Sequence, residues 1–168
     1  MIQSVLLVDD NENIRLVAEA GLERDYDVFL AGSGLEALDI AEAERPDLIL
    51  LDVHMPSMDG LETLERLRRN QETAHIPVIF LTATLPEFRR HSLTEMGVIA
   101  VIEKPFDPLR LAELVSNLYA SYLVESLIDD VSYSGRNWAS PPKIITVETA
   151  KRVYSLASQY SGGSDIRP

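Results

Sequence analysis

Apolar and polar residues alternate along this chain in blocks of regular length. Short apolar runs typical of strands are separated by segments in which apolar residues recur at helical spacing. The predicted strands are 4–8, 27–31, 47–53, 77–83 and 98–103. The predicted helices are about 12–24, 34–44, 59–70, 86–96 and 108–128. Successive strand–helix units predict an α/β domain built on a parallel sheet.

The strands at 4–8, 47–53 and 77–83 show no polar alternation, so we expect helices to cover both of their faces. The last predicted helix carries one apolar stripe, with which it should dock on the sheet. The stripe consists of Leu111, Leu114, Val115, Leu118 and Tyr122.

Two helix starts are marked by capping residues. Ser33, with Glu36 three residues later, has the pattern of a capping box. Asp107 followed by Pro108 is typical of an N-cap and a first helical position.

Composition narrows the class of protein. The chain has 168 residues and is 46% hydrophobic, which suits one domain of ordinary size plus a remainder. It contains no cysteine, so disulfides and thiolate metal sites are excluded. No apolar run approaches the ~18 residues of a membrane span, and no signal-peptide pattern follows Met1. We therefore expect a cytoplasmic protein that does not bind membranes.

The charge is strongly negative and unevenly placed. The net charge is −12 and the isoelectric point is about 4.6, which disfavours direct binding to nucleic acid. All of the excess negative charge lies in residues 1–124, whereas residues 125–168 are neutral.

Polar residues follow four of the predicted strands at the point where each strand ends. Because the carboxyl ends of parallel strands meet at one edge of a sheet, these residues should form one site. They are Asp9 and Asp10, Asp52, Thr82 and Lys104, and Ala83 and Pro105 directly follow the last two.

The three aspartates suggest a cation site. Asp9, Asp10 and Asp52 would place up to three negative charges close together, and such a cluster takes up protons or binds a cation. With oxygen ligands alone, the cation should be Mg²⁺. Each residue also has a simpler interpretation: a turn or capping carboxylate for the aspartates, an ordinary strand residue for Thr82, and a solvated charge for Lys104.

Taken together, these residues resemble the receiver domain of two-component response regulators. The aspartate pair, Asp52, Thr82–Ala83 and Lys104–Pro105–Phe106 occur in the order and spacing of that family, and the resemblance covers about residues 1–124. It implies a doubly wound five-stranded sheet of order 2-1-3-4-5. The segment GVIAVIEKPFDP is similar to receivers that stand alone, rather than to those of transcription factors.

The resemblance also implies roles for individual residues. Asp52 would be the phosphoacceptor, with Asp10 as a second direct Mg²⁺ ligand. Asp9 would act largely through water, and the backbone carbonyl of His54 would supply a further oxygen. The remaining site residues would surround the phosphoryl group or shape the site: Thr82 and Lys104 would contact its oxygens, and Pro105 would follow a cis peptide bond.

The implied function is signalling in a phosphorelay, not enzymatic turnover. The donor would be a histidine kinase or phosphotransfer protein, and the output would be contact with a downstream protein. An alternative is an aspartyl-phosphate phosphohydrolase of the dehalogenase type, although that family carries its nucleophile after the first strand in a DxD pattern. One departure from many receivers is Val101, where they have Tyr or Phe. We therefore expect activation to use the loop at 84–86 or a change of packing with the C-terminal extension.

Residues 125–168 form the predicted extension of the domain at 1–124. We expect a continuation of the last helix, a Ser/Gly/Pro-rich linker, a short helix and a disordered end. About 40 residues are too few for an independent core, so a winged-helix output domain does not fit. We expect the extension to fold back on the domain or to pair two chains as a homodimer.

Overall fold

The computed structural model describes residues 2–83 and 96–132. Its strands are β1 (Ser4–Val8), β2 (Asp27–Ala31), β3 (Leu48–Asp52), β4 (Val78–Thr82) and β5 (Val98–Glu103). Its helices are α1 (Glu12–Leu22), α2 (Gly34–Glu44), α3 (Gly60–Arg69) and α4 (Pro108–Ser132). Of the helix predicted at 86–96, only Met96 is described, and it lies in a turn.

The strands form one parallel sheet in the order β2-β1-β3-β4-β5. This order and the α/β class confirm the predicted fold. All residues of β3 and β4 are buried, as expected for strands without polar alternation. Because β1, β3 and β4 are neighbours, the polar residues at their carboxyl ends lie at one edge of the sheet.

Helices cover both faces of the sheet. On one face, α1 and α4 pack over a cluster that includes Leu22, Leu50 and Val115. On the other face, α2 and α3 pack over a second cluster that includes Leu51 and Leu64. Burial of both faces explains the continuous apolar sequences of the central strands.

The predicted helix starts are present, one of them with altered contacts. The Ser33 hydroxyl accepts a hydrogen bond from the Glu36 N–H at 3.2 Å. In a capping box the carboxylate would accept from the Ser33 N–H. The Glu36 carboxylate instead accepts from the Gly32 N–H at 2.7 Å, one residue before the N-cap. At α4, the Asp107 carboxylate accepts from the Leu109 N–H at 3.0 Å, and Pro108 is the first helical residue, as predicted.

Helix α4 extends beyond the part that docks on the sheet. Its apolar stripe packs on the first cluster as predicted, and Tyr122 is the last residue of the stripe in contact. Leu123 and Val124 are exposed. The helix has 25 residues and ends at Ser132, four residues after the predicted end. Residues 133–168, which hold the predicted linker and short helix, lie outside the described residues.

Helix α4 is also held to the β2 edge of the sheet. The Tyr26 hydroxyl donates a hydrogen bond to the Ala112 carbonyl at 3.2 Å. Burial raises the pKa of Tyr26. Among the described helices, none is long and apolar enough to span a membrane.

One arginine side chain binds the backbone segments that directly precede β4 and β5. The Arg68 side chain, in the last turn of α3, donates hydrogen bonds to four backbone carbonyls. The acceptors are Met96 at 2.6 Å, Ile76 at 2.9 Å, Ala74 at 3.1 Å and Gly97 at 3.2 Å. No carboxylate in the described part of the chain pairs with this guanidinium. Burial lowers the pKa of Arg68 from its ordinary value.

Candidate functional site

Polar side chains are buried at the edge of the sheet where β1, β3 and β4 end. Val8 pairs with Leu51, and Asp52 pairs with Leu81. Asp9, Asp52 and Thr82 therefore emerge within about one residue of the same level. Asp9 and Thr82 are fully buried, and Asp52 is 5% exposed, whereas Asp10 is exposed. Buried carboxylates need compensation by opposite charge or hydrogen bonds.

Lys104 supplies that opposite charge to two carboxylates. Its ammonium lies 2.5 Å from Asp9 Oδ2 and 3.0 Å from Asp52 Oδ2. The backbone N–H of Lys104 donates a hydrogen bond to the backbone carbonyl of Thr82 at 2.9 Å, which continues the β4–β5 pairing beyond the end of each strand. The Lys104–Pro105 peptide bond is cis, as the resemblance implied. One ammonium therefore joins the ends of β1 and β3 from a position just after β5.

The backbone N–H, the backbone carbonyl and both carboxylate oxygens of Asp9 each have a partner. Its N–H donates to the Ala31 carbonyl at 3.1 Å, and Oδ1 accepts from the Asn11 N–H at 2.9 Å. Its carbonyl accepts from Arg15 Nη1 at 2.6 Å. Together with the Lys104 contact, these bonds fix both the backbone and the carboxylate of Asp9.

Asp52 is held by the loop that follows it. Its Oδ1 accepts from the His54 N–H at 3.3 Å, while the His54 side chain is exposed. The Gly60 N–H donates to the Val53 carbonyl at 2.9 Å, which folds the loop back over the end of β3. A Cβ at Gly60 would lie 2.2 Å from the Asp52 carbonyl oxygen, so only glycine permits this close approach.

The three aspartates have the donor set of a hard cation site. Asp9, Asp10 and Asp52 each offer a carboxylate oxygen, and these oxygens lie within 4.8 Å of one another. All the donors are oxygen, and Mg²⁺ binds through one or two carboxylates plus water. The residues present therefore fit the ion that the sequence predicted.

The structure brings the predicted site residues together, with two features that the sequence did not reveal. Lys104 was expected to contact phosphoryl oxygens, and its ammonium contacts both Asp52 and, at a shorter distance, Asp9. Arg15 was not predicted to take part, yet it binds the Asp9 carbonyl. The only signal for Arg15 is its position one helical turn after Asn11, the N-cap of α1.

Comparisons with known proteins agree with this geometry. The family model of the response regulator receiver domain matches residues 5–116. The polar-differentiation response regulator DivK of Brucella ovis is 37% identical over 118 residues, which cover 70% of this chain and 96% of that protein.

A second relative is longer than this chain. The alkaline phosphatase synthesis transcriptional regulatory protein PhoP of Bacillus subtilis is 43% identical over 109 residues, covering 64% of this chain. The match spans only 45% of PhoP.

Solved structures of the same fold include the chemotaxis protein CheY4 of Vibrio cholerae. It matches with a TM-score of 0.65 and 30% identity, over 70% of this chain and 99% of that one. These comparisons give no support to a phosphohydrolase of the dehalogenase type. The chain therefore belongs to the response regulator receiver family, whose members act in two-component signalling.

Proposed function

We propose that this protein accepts a phosphoryl group on Asp52 and passes the signal on by contact with another protein. The observation that carries the proposal is the position of Asp52. It is a nearly buried carboxylate at the end of a central strand, 3.0 Å from the Lys104 ammonium and clustered with Asp9 and Asp10. A carboxylate placed in this way can act as a nucleophile toward phosphorus.

The proposed transfer exchanges one bond to phosphorus for another. A carboxylate oxygen of Asp52 forms a P–O bond while the P–N bond to a donor histidine breaks. The histidine nitrogen keeps the electron pair of the broken bond and takes up a proton. The donor is a histidine kinase or phosphotransfer protein, because these carry phosphohistidine.

The chain's own residues orient the nucleophile and offset charge. The His54 N–H and the Lys104 ammonium hold the two oxygens of Asp52. Lys104 and the Thr82 hydroxyl are proposed to contact phosphoryl oxygens after transfer, with Pro105 shaping the turn that presents Lys104. Mg²⁺ held by Asp10 and Asp52, with Asp9 through water and the His54 carbonyl as a further oxygen, would neutralise negative charge on the phosphoryl group.

We propose a protein, not nucleic acid, as the downstream partner. The net charge of −12 opposes binding to a phosphate backbone. PhoP is named as a transcriptional regulator, but this chain spans less than half of it. DivK, of which it spans nearly all, is named as a response regulator of polar differentiation. Signalling without turnover of a substrate, in the cytoplasm, is the role that we propose.

Val101 gives a reason to expect that the structural change on phosphorylation begins at the end of β4. Its side chain is partly buried against the α2–α3 cluster and has no polar tip with which to reach the site. The structural change on phosphorylation is therefore proposed to begin at Thr82 and continue into residues 84–86, which lie outside the described residues.

The test is intact mass after incubation of the full chain with acetyl phosphate and Mg²⁺. We expect the mass of one added phosphoryl group, lost on treatment with hydroxylamine because an acyl phosphate is labile. Asp52→Asn should remain unlabelled. Asp59→Asn is the matched control, because Asp59 is a nearby exposed N-cap whose role asparagine can also fill.

Two results would contradict the proposal. One is equal labelling of the Asp52→Asn variant and the wild type, and the other is labelling that EDTA leaves unchanged. Steady hydrolysis of a phosphomonoester by the wild type would instead favour the phosphohydrolase.

A further inference from the structure

The backbone between the two adjacent aspartates of the site is held by a residue outside the acidic cluster. Helix α1 begins its hydrogen-bond ladder at Asn11, whose carbonyl accepts from the Arg15 N–H at 3.1 Å. The Asp9 carbonyl lies before this ladder and has no helical donor. It accepts instead from the Arg15 guanidinium, through Nη1 at 2.6 Å.

This bond fixes the peptide plane that links Asp9 to Asp10. The Asp9 carbonyl and the Asp10 N–H belong to the same planar unit, so holding one orients the other. Asp10 depends on this restraint, because its exposed carboxylate has no hydrogen bond or ion pair among the described residues. The backbone thus sets the direction in which the Asp10 side chain leaves the chain.

The guanidinium itself rests on the end of β2. A Cβ at Gly32 would lie 3.3 Å from Arg15 Nη1, 3.5 Å from Cζ and 3.6 Å from Nη2, so the guanidinium lies against the Gly32 backbone. The Gly32 N–H is fixed in turn by Glu36 at 2.7 Å. Glycine at this position leaves room for the guanidinium to reach the Asp9 carbonyl.

We infer that Arg15 is a positioning residue for the cation site: by holding the Asp9 carbonyl against the end of β2, it aims the Asp10 carboxylate toward Asp52. The inference rests on the proposed function, in that it assigns Mg²⁺ to the acidic cluster. Arg15 forms no ion pair with a carboxylate of the described chain, so it does not neutralise the cluster, whose charge is left to Lys104 and the metal.

The direction of the change in Mg²⁺ affinity distinguishes a positioning role of Arg15 from a purely electrostatic one. Removing a nearby positive charge lowers the repulsion felt by Mg²⁺, so electrostatics alone predicts tighter binding by Arg15→Met. Loss of positioning predicts weaker binding, since removing a partner that orients a metal ligand costs roughly 10- to 100-fold in metal affinity. Arg15→Lys keeps the charge and one donor, and should bind with intermediate affinity.

The experiment is titration of the unphosphorylated full chain with MgCl₂, followed by calorimetry and by the NMR shift of the Asp10 amide. We expect Arg15→Met to weaken Mg²⁺ binding at least tenfold. Arg24→Met, which removes an exposed arginine after α1, should leave it unchanged. Gly32→Ala, which crowds the guanidinium without changing any charge, should also weaken binding and serves if Arg15→Met does not fold.

Unchanged or tighter Mg²⁺ binding by both Arg15→Met and Gly32→Ala would overturn the inference, while phosphorylation of Asp52 in the same samples would leave the proposed function standing. Failure of the wild type to bind Mg²⁺ would overturn both.

Discussion

Replacing Arg68 by methionine should cost this domain a large part of its stability. Methionine keeps much of the apolar volume of arginine and suits a helix, so the change removes mainly the guanidinium. Four backbone carbonyls at the entrances of β4 and β5 then lose their donor.

The magnitude follows from the geometry of the hydrogen bonds. Hydrogen bonds from a charged donor contribute about 1.5–3 kcal/mol each in net terms. Burial of the guanidinium opposes this gain, as its lowered pKa indicates, and carbonyls near the surface regain water in the variant. Counting only the two shortest bonds, at 2.6 and 2.9 Å, at the lower value gives a loss of roughly 3 kcal/mol.

Urea unfolding followed by circular dichroism measures this loss, and the next residue provides the control. Arg69 has a 77% exposed side chain and one ion pair with Glu65 at 3.4 Å, so Arg69→Met should cost only about 0.2–0.5 kcal/mol. With a slope of about 2 kcal/mol per molar, Arg68→Met should lower the midpoint by about 1.5 M. If the two variants unfold within about 0.5 kcal/mol of each other, the guanidinium does not hold the strand entrances together.

Further changes test other contacts. Gly60→Ala places a Cβ against the Asp52 carbonyl and should destabilise the domain by more than about 3 kcal/mol in the same assay; a smaller loss would mean that the loop can move away. Backbone N–H groups at the start of β1 lower the pKa of Asp47, so its stabilisation is complete above its unfolded pKa and is lost as the pH falls through its folded pKa; Asp47→Ala should cost about 0.5 kcal/mol at pH 7 and less in acid, and a cost that does not fall with pH would refute this. Lys104→Ala should still accept phosphate from acetyl phosphate, but amide exchange at the end of β4 should no longer respond; a full wild-type response would exclude Lys104 from signalling. Deletion of residues 129–168 should leave phosphorylation intact and change the oligomeric state in light scattering; identical monomers, phosphorylated or not, would contradict a role in association.

The sheet and most of the site could be predicted because both depend on strand ends. Unbroken apolar runs identify the central strands of a sheet covered on both faces, and parallel strands deliver their last residues to one edge. Asp52 follows such a run directly, so its position at the edge of the sheet could be predicted without knowing any side-chain contact. The strand order came from the resemblance to a family, since the pattern of residues alone does not distinguish neighbouring strands.

The contacts made by long basic side chains could not be predicted in the same way. Arg66, Arg68 and Arg69 lie on one helix, and the sequence does not say which of them reaches backbone carbonyls. Helical spacing contains a partial signal, because Arg68 lies four residues after buried Leu64 and so falls on the packed face. Lys104 presents the same difficulty, because the sequence does not say that its ammonium contacts both Asp9 and Asp52.

The length of α4 has a consequence for anything joined to its end. Ten helical residues follow Tyr122, the last residue of the stripe that packs on the core, so the chain leaves Ser132 about 15 Å further along the helix axis. Each residue of a helix turns the chain by about 100°, so deleting one residue between 123 and 132 would swing an attached segment to another side of the domain. Removing seven residues would restore nearly the original direction at a shorter distance. The helix therefore sets both the distance and the direction at which an attached segment begins. Variants with one or seven helical residues removed can separate these two effects.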